Sequence, residues 1–206
     1  MKKSLLSFFL LGVLLVSPLL AEDAASASSD RDARAKAATE QRLAYAASAE
    51  YNPYETKASD CRKNAGELLK KGDFAGAIAE ARKGLESSKY DIGLLVVLAT
   101  AYRGAGDIPN ADKTRRQWIS LVDSILRSGD GRDFATAYQV ITVAEEYAVL
   151  GVLGMEVTNQ SLVGHGGSEF DKMQVKERKS GDELTLYFNV DLPMRWLNRQ
   201  FSEKKK

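Results

Sequence analysis

A chain of 206 residues, 44% apolar and 28% charged, has room for one medium domain or two small ones and the ordinary balance of a globular protein. Its 29 basic and 28 acidic residues give a net charge of +1 with no sustained basic face, which leaves no electrostatic footprint for nucleic acid or a lipid surface. A single cysteine, Cys61, excludes an intramolecular disulfide.

Residues 1–21 read as a secretory signal: Lys2 and Lys3, an apolar run from Leu5 to Val16, then Ser17-Pro18-Leu19-Leu20-Ala21. The run is shorter than the ~20 apolar residues a membrane span needs. No cysteine follows it to carry a lipid. Cleavage after Ala21 removes two lysines, leaving 27 basic residues against 28 acidic ones. The short Lys-Lys opening suits a bacterium, so the expected location is the periplasm or the outside, with no stable membrane anchor after cleavage.

Residues 22–50 are rich in Ala, Ser and single charges. Ala24–Ser29 cannot bury a face, and from Asp32 to Glu50 only Leu43 and Tyr45 offer anything to pack. A flexible or helical linker is expected, broken at Asn52-Pro53, with the folded part starting near Tyr51.

From 51 to 131 the pattern is helical. A first helix carries Cys61, Leu68 and Leu69 and stops at Lys70-Lys71-Gly72, basic residues and glycine being favoured at a C-terminus. Asp73 caps a second, whose Phe74, Ala77, Ile78, Ala81 and Leu85 share one side. A third carries Leu94, Leu95, Leu98 and Tyr102. A fourth starts at Asp107 and Pro109 and runs through Trp118, Leu121, Val122, Ile125 and Leu126. Gly72-Asp73-Phe74 with Ala77 recurs 34 residues on as Gly106-Asp107-Ile108 with Ala111. That period and punctuation resemble the tetratricopeptide repeat. Only two units are present, Asn64 stands where a large apolar residue is usual, and Gly129-Asp130 comes too soon to open a third. The exposed end of the stack therefore needs a cover, which points at residues 132–206.

There the periodicity changes. Ala137–Thr142 reads as a strand and Glu145–Leu153 as a short helix. Strands follow at 155–163, 170–178 and 183–191, the last alternating Leu184, Leu186, Phe188 and Val190 with polar residues. Turns at Gly164–Ser168 and Lys179–Asp182 join them, and Pro193 opens a final helix with Trp196, Leu197 and Phe201. The expected fold class is α+β: tetratricopeptide-like helical hairpins followed by a mostly antiparallel four-stranded sheet.

Residues 51–201 resemble the bacterial family catalogued as domain of unknown function 4919. The resemblance is carried by Asn52-Pro53-Tyr54, Ser124–Gly131, Glu145-Glu146-Tyr147, Val152-Leu153-Gly154 and Tyr187–Asp191. It implies an exported bacterial protein and brings no catalytic residues with it.

For function, the first expectation is an interaction module for a protein or peptide partner in the bacterial envelope. Repeat proteins bind extended peptides along the surface of their first helices, where Arg62, Lys70, Thr100 and Arg103 are expected to face a groove. The alternative is a periplasmic hydrolase-like enzyme using Glu145, Glu146, His165 or Asp171 at the helix–sheet junction; a structural accessory without a ligand is the blander reading. Glu145 and Glu146 are adjacent, so on a helix they diverge by about 100°. Ser128–Asp133 lacks the spacing of a calcium or phosphate loop and reads as a helix end and turn. His165 lies among three glycines with no further ligands in metal spacing. No metal or cofactor is expected. Cys61 reads as a small buried hydrophobe.

Overall fold

The computed structural model describes residues 18–203, which form seven helices and four strands. Most of the expected signal, Met1–Ser17, and the Lys204–Lys206 tail lie outside the described residues. Helix α1 spans Pro18–Ala46, and the chain divides into compact units at Ala33/Arg34. In the first unit, residues 27–33 are exposed. In the second, α1 continues with Ala35, Ala38, Arg42 and Ala46 all buried. Packed structure therefore begins well before Tyr51. Alanines do this because they let a helix approach closely without a large side chain, so no apolar stripe marks the segment.

Helices α2 (Thr56–Lys70) and α3 (Phe74–Ser87) form one hairpin, and α4 (Ile92–Gly104) and α5 (Ile108–Leu126) a second. The 34-residue recurrence has a backbone cause. Gly72 and Gly106 take φ of 77° and 80°, a region that glycine enters without a steric penalty. Asp73 N–H then donates to Leu68 O and Gly72 N–H to Leu69 O, and Asp107 and Gly106 repeat this with Tyr102 and Arg103. Each hairpin thus ends its first helix in the same glycine-dependent motif. The aspartate that follows caps the next helix, Asp73 accepting from Gly76 N–H and Asp107 from Asn110 N–H. Inside the stack Cys61, Ala65, Ala81, Leu94, Leu98 and Ala111 form one core. Burial pushes the Cys61 thiol up, away from the reactive thiolate.

After α5 come β1 (Tyr138–Gln139), α6 (Val143–Val152), β2 (Met155–His165), β3 (Ser168–Glu177), β4 (Glu183–Asn189) and α7 (Asp191–Glu203). The sheet order is β1-β4-β3-β2. Pairings β2–β3 and β3–β4 are antiparallel, but β1 lies parallel to β4 through Tyr138↔Phe188 and Gln139↔Asn189, so the sheet is mixed. The strand expected over 137–142 is cut to two residues for a local reason. Ile141 N–H is taken by the Glu145 carboxylate instead of a neighbouring strand, and Thr142 becomes the cap of α6. At the other end, β4 stops at Asn189 and Asp191 already belongs to α7.

The sheet's inner face covers the helical stack. Met173, Val175, Leu186, Phe188 and Val190 share a core with Ile92, Leu95, Leu121, Val122 and Ile125, and α6 adds Val149 and Leu150. No helix among the described residues is long and apolar enough to cross a membrane.

The packing predicts one sensitive position. A Cβ on Gly84 of α3 would stand 2.7 Å from Leu94 Cδ1 and 2.8 Å from Cys61 Cβ. Gly84→Ala should lower stability in urea denaturation by about 1–3 kcal/mol, the usual cost of overpacking, although alanine is the better helix former.

Candidate functional site

The two hairpins and α6 place two carboxylates of one helical turn in opposite surroundings. Glu145 and Glu146 lie in the first turn of α6, where a helix N-terminus favours negative charge. Both are buried, with 2% and 0% exposure.

Glu145 points at α1. Arg42 Nε donates to its Oε1 at 2.7 Å and Arg42 Nη2 to its Oε2 at 2.6 Å, a two-pronged pair. The guanidinium also donates to Ser124 Oγ of α5 at 3.1 Å and to Gln139 O of β1 at 3.1 Å. Glu145 Oε2 further accepts from Ile141 N–H at 2.8 Å, and the Tyr51 hydroxyl donates to Ile141 O. Burial and the Glu145 charge push the Tyr51 phenol far up, holding it as a neutral donor.

Glu146 points the other way, toward Asp171 on β3. Neither of its carboxyl oxygens has a hydrogen bond of good geometry. Desolvation above all, then repulsion by and hydrogen bonding with Asp171, and last the Glu145 charge, push its carboxyl from the ordinary 4.5 up to about 9. Burial and the facing Asp171 carboxylate therefore favour the neutral acid form of Glu146 at pH 7. Asp171, 8% exposed, accepts from Gln160 Nε2 at 2.8 Å. Gln160 Oε1 in turn accepts from the Tyr147 hydroxyl at 2.8 Å.

Of the expected polar site, Glu146 and Asp171 thus meet while Glu145 is held by Arg42. His165 stands apart. At the tip of β2 its ring stacks on Phe134 with centroids 4.2 Å apart and planes 8° from parallel. Asp191, another carboxylate in that strand region, accepts from Ser168 Oγ and Glu169 N–H. Ser128–Asp133 is a packed loop: Asp130 accepts from Arg132 N–H and Thr136 Oγ1. A Cβ on Gly129 would lie 2.0 Å from Thr136 O. Among the described residues there is no group of three or more His, Cys, Asp or Glu that could hold a metal ion.

The four residues expected along a helical groove do not line one surface. Arg62 pairs with Asp91 at 2.6 Å and borders a depression of about 410 Å³ together with Gly93 of α4 and Val143, Ala144, Tyr147 and Ala148 of α6. Thr100 and Arg103 line another, of about 160 Å³, between α4 and α5. Lys70 is exposed at the end of α2 and borders neither. The cause is local pairing: Thr100 donates to its own Val96 O, and Arg103 reaches Asp112 across to α5 at 3.0 Å.

Arg42 is the residue that sequence reasoning missed. The one signal was an arginine amid closely spaced alanines, Ala35, Ala38 and Ala46, on one face of a helical segment.

Two helical hairpins closed by a mixed sheet, with a buried ion pair and a carboxyl pair at their junction, define an α+β protein. It belongs to the family described as Domain of unknown function (DUF4919), whose sequence model matches residues 36–199. The match begins ahead of Arg42 and so includes Ala38, Arg42 and Ala46 of α1. No curated protein and no solved structure matches the chain significantly.

Two measurements check the junction. Removing one partner of a buried ion pair strands the other charge, so Arg42→Met should cost about 3–5 kcal/mol in chemical denaturation. Arg42→Met with Glu145→Leu should recover a substantial part of that loss. The Glu146 carboxyl is raised on folding, so the native state holds an extra proton between about pH 4.5 and 9. Its contribution is complete below pH 4.5 and is lost as pH rises toward 9, with a slope approaching about 1.4 kcal/mol per pH unit. Glu146→Gln, which keeps the shape without the charge, should flatten that decline when melting is followed from pH 5 to 9.

Proposed function

We propose that this chain is an exported bacterial protein that acts as an interaction module for a protein or peptide partner in the envelope. The observation that carries this reading is the open depression of about 410 Å³ bordered by α2, α4 and α6. Helix α2 packs on α4, and α4 and α5 both pack on α6, so α6 follows α5 in the manner of a further first helix. In tetratricopeptide-like stacks that surface takes extended peptides, and the equal caps at Gly72-Asp73 and Gly106-Asp107 support the likeness. At Gly93 the absent Cβ makes room for Arg62, whose Cδ would otherwise lie 2.5 Å away, so the arginine lies close along α4 at the edge of the depression. The rim carries Tyr147, 48% exposed, an amphipathic ring of the kind enriched at binding surfaces.

A periplasmic location is supported by the Lys2-Lys3 and Leu5–Val16 pattern followed by Ala21. The hydrolase reading is carried less far. His165 stacks on Phe134 instead of joining Glu146 and Asp171, and the pair lacks a third group to act on a nucleophile.

Selection of a random peptide library on the immobilised protein tests the reading. The wild type should enrich a consensus that Ala144→Trp, which fills the depression, no longer enriches while melting normally. Equal enrichment by both proteins, or none by the wild type, overturns it.

A further inference from the structure

The sheet ends in two unlike edges. In the order β1-β4-β3-β2, one edge is β1, two residues long, and the other is β2, eleven residues long. Among the described residues no strand pairs with the outer side of β2. A row of its N–H and C=O groups therefore faces water and can template a further strand. Proteins usually blunt such an edge with lysine, proline or a covering element. Residues Met155–His165 contain no Lys, Arg or Pro, and Glu156 is their one carboxylate, whereas the enclosed strand β3 carries Lys172 and Lys176. Helix α6 leads into β2 and packs on it, yet Thr158–Leu162 is exposed throughout.

Protection comes at one end alone. The β2–β3 register shifts between Val157 and Asn159, a bulge of the kind that turns an edge away from a partner. From Asn159↔Gln174 to His165↔Ser168 the register then runs unbroken. The middle residue of that regular stretch is Leu162, 51% exposed. Its apolar surface is left to water at the centre of an open strand that carries no carboxylate or lysine from Asn159 onward.

We propose that the Asn159–His165 edge pairs with the same edge of a second copy of this chain, antiparallel about a two-fold axis at Leu162. In an antiparallel pair related by a two-fold through the sheet, the residue at the axis faces itself and its neighbours pair symmetrically. Leu162 then meets Leu162, Ser161 meets Val163, Gln160 meets Gly164 and Asn159 meets His165. No like charges come together, since Glu156 lies outside the paired stretch. A second copy fits better than a flexible peptide because both strands are already formed, so neither bears the entropy of ordering a chain. The two-residue β1 at the far edge offers no comparable template, so association closes at two copies instead of extending into a fibre. A contact of one short strand per copy is small beside the ~20–30 residues a side of a standard interface, so the dimer dissociates on dilution. The contact is separate from the depression bordered by Arg62 and Gly93 and does not depend on the peptide reading.

Sedimentation velocity of the full chain, from low micromolar to near-millimolar concentration, should show a reversible monomer–dimer equilibrium. Leu162→Lys sets two ammonium groups face to face at the axis. It should weaken dimerisation at least about tenfold, because like charges directly opposite destabilise a strand pair and the apolar contact is lost. Its melting should stay close to that of the wild type, since Leu162 is half in water. Cross-linking checks the register. Leu162→Cys faces itself with Cα atoms about 4.5–5.5 Å apart, within disulfide reach, and should form a covalent dimer under mild oxidation. Asn159→Cys, exposed on the same strand, stands roughly 20 Å from its counterpart at ~3.4 Å per residue and should not. Cys61 is buried and takes no part. A monomer at every concentration, a dimer undiminished by Leu162→Lys, or equal cross-linking of the two cysteine variants overturns the proposal. So does a monomer whose β2 amides gain exchange protection only when a selected peptide binds, which would put a foreign strand on this edge.

Discussion

The buried pair of Arg42 and Glu145 is the interaction on which the rest depends. Neither charge could be enclosed alone, because an unpaired ion in a protein interior costs several kcal/mol. Together they require α1, α5, β1 and α6 to meet at one point, since the guanidinium also holds Ser124 and Gln139. Such a pair adds little net stability over apolar packing, but it penalises any arrangement that separates the partners. A helix made chiefly of alanine and single charges becomes part of the core for that reason.

The same pair decides what its neighbour does. With Glu145 paired toward α1, the helical turn carries Glu146 toward β3, where Asp171 already stands. One carboxyl is paired with an arginine and the other is pushed toward its neutral form, though they are adjacent in sequence and similarly enclosed. Environment, not residue type, sets the difference. The arrangement leaves a buried carboxyl pair between α6 and β3, joined through Gln160 to the Tyr147 hydroxyl at the rim of the depression.

Two helical hairpins alone would expose the outer side of α4 and α5, because a short stack lacks further units to bury its face. The sheet supplies the cover. Its inner residues Met173, Val175, Leu186 and Phe188 pack on Ile92, Leu95, Leu121 and Ile125, and α6 slots beside α4. The parallel β1–β4 contact fastens the start of the C-terminal part to its far strand, with Gly131 O accepting from Tyr187 N–H. The helical and sheet halves are therefore parts of one core.

The sequence by itself determined the local structure. Gly72-Asp73 and Gly106-Asp107 specify helix ends and caps through the positive φ of glycine and the short acceptor of aspartate, and the alternation of Leu184, Leu186 and Phe188 specifies a strand with one buried face. These signals act within a few residues, so they are legible in a string of letters. The family motifs Asn52-Pro53-Tyr54 and Glu145-Glu146-Tyr147 were visible too, and in the second Glu146 faces Asp171 while Tyr147 is joined to it through Gln160. Only the tertiary structure decided that Arg42 is buried, that Glu145 and Glu146 face different partners, that Thr100 and Arg103 leave Arg62's surface, and that His165 stacks on Phe134. Arg42 and Glu145 are 103 positions apart. A polar side chain between alanines reads as solvated until a partner from elsewhere in the chain arrives, because burial of charge is set by what packs against it and not by the residues on either side.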